Sequence, residues 1–191
     1  MEGYPVRDPA FRPSAAELAA ARDRTVPDVL PAPGTGPGVL FCGINPGLWT
    51  AATGWHFGRP GNRFWPALHG SGFTGRLLHP SEQDVLAALG HGITNLAPRP
   101  TARADELARA ELVAGAQRLA DLVAAVRPRV LAVVGVTAYR VAFADPAAGF
   151  GPQGREVAGS AVWVLPNPSG LNAHFGLPRL VEEFARLRVA L

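Results

Sequence analysis

The sequence predicts an α/β protein of three layers, in which helices cover both faces of a short, mainly parallel central sheet of four to five strands. From residue 39 onward, short apolar runs alternate with segments in which apolar residues recur at helical spacing. The apolar runs lack the polar alternation of a half-exposed strand, which indicates strands that are buried on both faces. Strands separated by helices pair in parallel, so the helices are expected to cross over the sheet.

Four runs have the length and composition of buried strands. In chain order they are GVLFCGI (38–44), GITNLA (92–97), RVLAVVG (129–135) and AVWVLP (161–166). Turn-forming Gly, Pro or Asn residues lie within or next to these runs, as is typical of short strands. A chain of 191 residues is most simply one domain with a sizeable core.

Six segments have the pattern of helices. They are SAAELAAARDR (14–24), RFWPALHGSGF (63–73), SEQDVLAALGHG (81–92), residues 104–126, VTAYRVAFA (136–144) and LPRLVEEFARLRVAL (177–191). Ser14, with Glu17 three residues later, predicts a capping box, and Ser81 is the expected cap of the third segment. Residues 26–38, VPDVLPAPGTGPG, have the composition of a Pro/Gly linker.

The composition excludes several classes of site. Cys42 is the one cysteine, which excludes a disulfide framework, a zinc–cysteine cluster and a four-cysteine iron–sulfur site. The five histidines are scattered without metal-ligand spacing, so we expect no metal and no cofactor. All 18 basic residues are arginine, so no lysine can form a Schiff base. With no secretory signal and no membrane-length apolar run, we expect a cytoplasmic protein without a membrane partner, associated with the nucleoid if the source is bacterial.

Amide side chains stand where strands end. GINPG (43–47) follows the first strand, Thr94 and Asn95 lie in the second, and NPSGLN (167–172) follows the fourth. Because ligand sites in parallel sheets lie beyond the carboxyl ends of the strands, these stretches are expected to converge. Each Asn-Pro stretch could also be an ordinary turn, with Ser169 as a helix cap in the second. However, Leu171 has no evident core role, and an apolar residue on a small-residue loop is typical of wedges that open a base stack.

The loop GWHFGRPGNRFW (54–65) carries Trp55, Phe57, Phe64, Trp65 and two arginines, but no acid. Arginine interleaved with aromatic rings is typical of nucleic-acid contact and base stacking. Phe64 and Trp65 are expected to begin a helix and face the core, which leaves the other two rings as stacking candidates. The motif loops contain no carboxylate pair, which argues against the two-acid mechanism of conventional glycosidases.

GINPG, PGNRFW, GITN and LPNPSGLN, in this order, resemble motifs of the uracil-DNA glycosylase superfamily, and within it the mismatch-specific uracil/thymine-DNA glycosylase branch. The resemblance spans roughly residues 38–190. It implies the glycosylase fold, a catalytic domain over 38–191, and residues 1–37 as an N-terminal extension with a Pro/Gly linker. Two positions depart from the branch: Trp49 is bulkier than expected, and Ala173 stands where some relatives have an arginine, so that His174 or Arg179 becomes the candidate for that contact.

The resemblance also implies roles for individual residues. Asn45 matches the asparagine that positions the attacking water, and Phe57 matches the aromatic residue that stacks on the extruded base. The implied catalytic set is Asn45, Thr50, Thr94 and Asn95; the substrate-binding set is Gly43, Ile44, Phe57, Arg63, Asn167 and Ser169; the DNA wedge is Gly170, Leu171 and Asn172.

The implied function is that of a monomeric, monofunctional DNA glycosylase that begins base excision repair. It would hydrolyse the N-glycosidic bond of uracil opposite guanine in double-stranded DNA, with thymine and modified cytosine as further candidate bases. A base inside a duplex is out of reach, so the nucleotide must first flip into the site. Three alternatives remain: a uracil-DNA glycosylase of another branch with single-strand or general activity, a non-catalytic DNA-damage-binding protein, and a small nucleotide-binding α/β protein.

Overall fold

The computed structural model describes Tyr4 and residues 8–191 of the chain, so residues 1–3 and 5–7 of the predicted extension lie outside the described residues. The centre is one five-stranded sheet with the strand order β2-β1-β3-β5-β4. The strands are β1 (Val39–Gly43), β2 (His91–Asn95), β3 (Val130–Val134), β4 (Gly151–Val157) and β5 (Ser160–Leu165). Four of them are parallel, and β4 pairs antiparallel with β5.

Helices cover both faces of this sheet. They are α1 (Ala15–Ala20), α2 (Leu48–Thr53), α3 (Phe64–Gly70), α4 (Gln83–Ala88), α5 (Arg109–Val126), α6 (Val136–Ala142) and α7 (Leu177–Val189). Side chains of α3, α4 and α7 form one apolar core with one face of the sheet, and side chains of α5 and α6 form a second core with the other face. The predicted three-layer α/β/α architecture is therefore confirmed.

Two elements were not predicted, and two helix boundaries differ. β4 lies in a Gly/Pro-rich stretch at the edge of the sheet and joins β5 through Ala158 and Gly159, both with positive φ, as in a tight hairpin turn. α2 has only six residues, and its N-cap Gly47 has no side chain to form a cap, so neither periodicity nor a capping motif marks it in the sequence. The helix expected from Ser81 is instead preceded by a 3₁₀ turn at Pro80–Glu82, which His79 caps. The long helix begins at Arg109 because Ala104–Glu106 form a separate 3₁₀ turn.

The N-terminal segment (residues 14–30) packs against the rest of the domain. The capping box of Ser14 and Glu17 is present as predicted, and Ala21 contacts α2 in a small apolar cluster. Val29 forms an antiparallel bridge with Ile93 of β2, with N–H···O distances of 2.9 and 2.7 Å. The segment thus lies along the β2 edge of the sheet. The division at residue 37 stays a prediction.

The strand register brings the polar loops together. Gly43, the last residue of β1, is paired with Asn95, the last residue of β2, and Val134 of β3 is paired with Leu165 of β5. The loops after β1, β2 and β5 therefore leave the sheet on the same side, at the carboxyl ends of the parallel strands. The first two are also joined directly, because Thr101 N–H donates to the Pro46 carbonyl (3.1 Å) and Leu48 N–H donates to the Thr101 carbonyl (3.2 Å).

Within the described part of the chain, no helix combines the length and the apolar character that crossing a membrane requires.

Replacing Phe184 with alanine tests the core under α7. Phe184 is fully buried, stacks on Phe41 at a centroid distance of 6.0 Å and meets the edge of Phe64 at 6.0 Å. Phe184→Ala leaves a cavity that these rings cannot fill, so we expect the free energy of unfolding in urea to fall by about 3–5 kcal/mol. Val189→Ala on the same helix is the matched control, because Val189 is 85% exposed and its loss should change stability by less than about 0.5 kcal/mol. Equal effects of the two substitutions would contradict this description of the core.

Candidate active site

A cavity of about 580 Å³ opens at the carboxyl ends of the parallel strands. Two loops contribute much of its wall: the aromatic loop (residues 54–63) and the NPSGLN loop (residues 167–172). The lining residues are Ile44, Asn45, Pro46, Gly47, Thr50, His56, Phe57, Arg59, Asn62, Asn95, residues 101–105, Val134, Asn167, Ser169, Leu171 and Asn172. The structure therefore places most of the residues that the sequence implicates around one cavity.

Asn45 is held through its amide nitrogen. Its Nδ2 donates to the hydroxyl of Thr101 (2.7 Å), to the carbonyl of Arg99 (2.9 Å) and to the carbonyl of Pro46 (3.2 Å). Two of these partners are carbonyl oxygens, which only accept, and this fixes which end of the amide faces them. Oδ1 receives no hydrogen bond from the described residues and is left as an acceptor at the cavity.

Phe57 is fixed with one ring face covered. Its φ of 53° lies in the left-handed region, which is unusual for an aromatic residue. The ring stacks on Phe64, a fully buried residue of α3, at a centroid distance of 3.9 Å and an interplanar angle of 18°. Because Phe57 also lines the cavity, the ring is available to stack on a planar ligand there.

Gly43 allows two of the cavity residues to approach each other. A Cβ atom at this position would lie 2.7 Å from Oδ1 of Asn95 and 3.2 Å from Cζ of Phe57. Any side chain at residue 43 would therefore displace one or both of them. The predicted substrate-binding role of Gly43 has a physical counterpart in this close approach.

Asn95 is buried at the end of β2, where backbone and side chain are both held. Arg118 of α5 donates to the carbonyl oxygens of Asn95 and Leu96. Nδ2 of Asn95 lies 3.4 Å from Nδ1 of His56, and Nε2 of His56 lies 2.8 Å from the carbonyl oxygen of Pro27. His56 is itself buried, and this burial lowers its pKa, so the ring is neutral near pH 7.

The two threonines of the predicted catalytic set lie in different places. Thr50, on α2, lines the cavity. Thr94 does not, because successive side chains of a strand point to opposite faces and its neighbour Asn95 points to the cavity. The Thr94 hydroxyl is fully buried and makes no hydrogen bond among the described residues.

Arg63 contacts the NPSGLN loop and is not among the cavity-lining residues. Its guanidinium donates to the carbonyl oxygens of Ser169 and Asn172 (2.9 Å for Asn172), and its backbone N–H donates to the carbonyl of Pro168 (2.9 Å). These contacts make Arg63 a brace for the loop. The sequence placed it in the substrate-binding set, and the structure does not bring it to the cavity.

The NPSGLN loop is also bonded internally. Asn167 Oδ1 accepts from the Ser169 N–H (3.0 Å), Ser169 Oγ accepts from the Leu171 N–H (3.3 Å), and Asn172 Nδ2 donates to the Asn167 carbonyl (2.9 Å). Ser169 thus closes a turn and caps no helix, since α7 begins at Leu177. Leu171 stands on this rigid loop with 71% of its surface exposed.

The NPSGLN loop rests on the aromatic loop at two glycines. A Cβ atom on Gly170 would lie 2.7 Å from the carbonyl oxygen of Gly61. A glycine at residue 170 therefore lets the two loops touch through their backbones.

The cavity is polar but offers little acid or base. Asp105 is the one carboxylate among its lining residues, and it is paired with Arg103 at 2.6 Å. This hydrogen bond lowers the pKa of Asp105, so the group stays ionised and paired at neutral pH. Among the described residues, no three His, Cys, Asp or Glu side chains are grouped as ligands of a metal ion. The arrangement favours chemistry that depends on fixed dipoles.

Two cavity residues from outside the predicted site set contact its amide side chains. Thr101 accepts a hydrogen bond from Asn45. Its position could have indicated a site residue, because residues 99–101 follow the carboxyl end of β2, where the predicted site lies. His56 stood in a candidate loop, but its contact with Asn95 depends on a pairing 39 residues apart that no local pattern shows.

Comparison with known proteins agrees with this fold. The fold is similar to the solution NMR structure of a candidate uracil DNA glycosylase from Methanosarcina acetivorans, with a TM-score of 0.61 and 20% sequence identity over 87% of this chain and 96% of that chain. The sequence model of the uracil DNA glycosylase superfamily matches residues 32–188, most of the chain. The protein belongs to the uracil DNA glycosylase superfamily.

Proposed function

We propose that the protein is a monofunctional DNA glycosylase that hydrolyses the N-glycosidic bond of uracil mispaired with guanine, and so initiates base excision repair. Membership of the superfamily supports the coarser part of this function, a glycosylase acting on uracil in DNA. The anchored amide of Asn45 supports the hydrolytic step, because it supplies a fixed acceptor for a water molecule. The preference for guanine opposite the base rests on the resemblance of the motifs to the mismatch-specific branch. Thymine and modified cytosine are the further candidate bases.

The base would bind between Phe57 and the polar residues of the cavity. A nucleotide flipped out of the duplex can stack on the open face of Phe57, while the Asn95 amide meets the edge of the base. Ile44, Asn167 and Ser169 line the same cavity and are further candidates for substrate contact. The volume of about 580 Å³ lies within the range of about 300–1,000 Å³ that is typical of small-ligand cavities.

The reaction would begin with departure of the base from the sugar, before water adds to C1′. The C1′–N1 bond breaks, the sugar becomes an oxocarbenium-like cation, and uracil departs as an anion. The amide of Asn95 and the hydroxyl of Thr50 are dipoles that can stabilise the anion. Asn45 Oδ1 accepts a hydrogen bond from water and holds its oxygen towards C1′, which is a positioning task, since an amide is too weak a base to take the proton. The proton that the water loses on adding to C1′ neutralises the departed uracil anion.

Leu171 would fill the space that the flipped nucleotide leaves. The side chain is exposed at the tip of a loop that Arg63 braces, next to the cavity that would take the base. Insertion of an apolar side chain stabilises an unstacked step. Gly170 and Asn172, on either side of it, complete the proposed wedge.

A glycosylase assay on matched oligonucleotides tests this function and its alternatives. Single-turnover release of free uracil is measured from single strands and from duplexes with uracil opposite adenine or guanine. We expect the fastest release opposite guanine. Equal release from all three substrates would indicate a general uracil glycosylase, and binding without release would indicate a damage-binding protein.

Replacing Asn45 with alanine removes the proposed water acceptor. We expect the single-turnover rate of uracil release to fall by at least about 100-fold, the scale of a mispositioned reactant, with DNA binding retained. Thr101→Val removes one of the three partners of the amide and should give a smaller loss. Thr137→Val is the matched control, because Thr137 is exposed on α6 and is not among the cavity-lining residues. A near wild-type rate for Asn45→Ala would show that another group positions the water.

Replacing Leu171 with alanine tests the wedge. The cost of unstacking, a few kcal/mol per step, arises only in duplex DNA, so we expect excision from duplex to fall more than excision from single strands. Leu89→Ala, at another exposed leucine on the short connection after α4, should leave both rates unchanged. Equal losses from duplex and single strands in Leu171→Ala would remove the wedge assignment.

The absence of lysine from the sequence predicts the product. Glycosylases that cut the strand form an imine between an amine and C1′, and no side chain here supplies that amine. The product should be an intact strand with an abasic site that breaks only after alkali. Borohydride should trap no covalent complex between uracil-containing DNA and protein purified without a lysine-containing tag. A robust trapped complex would contradict the monofunctional assignment.

A further inference from the structure

We propose that the backbone carbonyl of Pro27 fixes the tautomer of His56, that His56 in turn fixes the orientation of the Asn95 amide, and that this orientation makes the cavity accept uracil and reject cytosine. His56 is then a specificity-determining positioning residue. The proposal rests on the proposed function, and its first link stands on hydrogen-bond geometry alone.

The tautomer follows from the partner of Nε2. A carbonyl oxygen can only accept, so Nε2, at 2.8 Å from the Pro27 oxygen, must carry the hydrogen. A neutral imidazole has one N–H, which leaves Nδ1 as an acceptor. The ring has to be neutral for this, and His56 is 1% exposed.

The surroundings of His56 keep the ring neutral. Burial lowers its pKa, and this outweighs the opposing effects of the Pro27 carbonyl and the Asp28 carboxylate. The other groups bonded to this residue are neutral: Gln83 accepts from its backbone N–H, and Trp65 donates to its carbonyl. Asp28 is thus the charged group that acts on the ring among those described.

The orientation of Asn95 follows from the tautomer. Because Nδ1 of His56 is an acceptor, the atom of Asn95 at 3.4 Å must be the donor Nδ2, and Oδ1 lies on the other side, over Gly43. One hydrogen of Nδ2 is used by His56. The second hydrogen and Oδ1 remain as a donor–acceptor pair at the cavity.

This pair discriminates between the two bases. Uracil presents N3–H as a donor beside O4 as an acceptor, which matches Oδ1 and the free N–H of Asn95. Cytosine presents N3 as an acceptor beside its amino group as a donor, so it places acceptor against acceptor and donor against donor. Among modified cytosines, those whose modification alters this edge are therefore the candidate substrates. A flipped amide would reverse the preference, and the contact with Nδ1 of His56 opposes that flip.

The device includes residues outside the segment that the family model matches. Pro27 precedes residue 32, where that match begins. Its carbonyl is held in place because Val29, two residues later, is bridged to Ile93 of β2 and Val26 packs on the small cluster between α1 and α2. The N-terminal segment is therefore connected to the Asn95 amide through the Pro27–His56 and His56–Asn95 contacts.

Nuclear magnetic resonance tests the first link without any assay of activity. Two-bond ¹H–¹⁵N correlations of histidine rings report which nitrogen carries the hydrogen, and the His56 signals are those lost in His56→Gln. We expect the Nε2–H tautomer at pH 7. A hydrogen on Nδ1 would overturn the proposal, whatever the variants do.

Binding of uncleavable DNA tests the second link. Fluorine at C2′ disfavours the oxocarbenium sugar, so duplexes with 2′-fluoro-deoxyuridine or 2′-fluoro-deoxycytidine opposite guanine report binding of each base. The measured quantity is the dissociation constant of the deoxycytidine duplex divided by that of the deoxyuridine duplex. In His56→Ala we expect this ratio to fall by about tenfold, on the scale of one bidentate amide–base pair. His69→Ala, at an exposed histidine on α3, is the control and should keep the wild-type ratio.

The outcomes separate this proposal from the proposed function. Equal weakening of both complexes in His56→Ala, or an unchanged ratio in a folded variant, would make His56 merely structural while uracil release by the wild type still stands. Failure of the wild type to release uracil would instead remove the proposed function and leave the tautomer measurement valid.

Discussion

The site depends on the in-register alignment of parallel strands. Gly43 at the end of β1 lies beside Asn95 at the end of β2, and β3 and β5 end at the same edge. Residues distant in sequence therefore meet without long loops: Asn45, Asn95 and Asn167 each lie at or just beyond a strand end. A shift of one residue in the β1–β2 pairing would turn Asn95 into the core and bring Thr94 to the cavity.

The side-chain amides of Asn45 and Asn95 are both oriented by the protein before a ligand arrives. Asn45 is held by acceptors from the loop after β2, and Asn95 is held by a ring whose own hydrogen is committed to Pro27. In each case the nitrogen contacts an acceptor of the protein, and the oxygen receives no hydrogen bond from the described residues. Fixed dipoles of this kind need no reorganisation when charge develops, which suits a site without a free carboxylate.

The apolar pattern was enough to predict the layers, because the buried strands are continuous apolar runs and the longer helices have apolar residues at helical spacing. α2 escaped prediction because its six residues are too few for a period and Gly47 gives no capping signal, whereas Ser14 and Ser81 marked the equally short α1 and α4. β4 escaped prediction because an exposed edge strand with Pro152 lacks an apolar run. In the site, the strand-end motifs predicted that Asn45 and Asn95 would converge, and both line one cavity together with Phe57 of the aromatic loop. The roles of these residues stay predictions. The bracing contacts of Arg63, the burial of Thr94 and the link from His56 to Pro27 depend on tertiary neighbours, which a motif does not show.

The contact of Gly170 with the Gly61 carbonyl ties the evolution of two loops together. Arg63 belongs to the aromatic loop and grips the NPSGLN loop at three carbonyl groups, and the glycine contact leaves no room for a side chain between them. An insertion in either loop would break the brace as well as the contact, so the lengths of these loops are constrained to change together or not at all. Relatives that alter the tip of one loop should therefore carry a compensating change in the other.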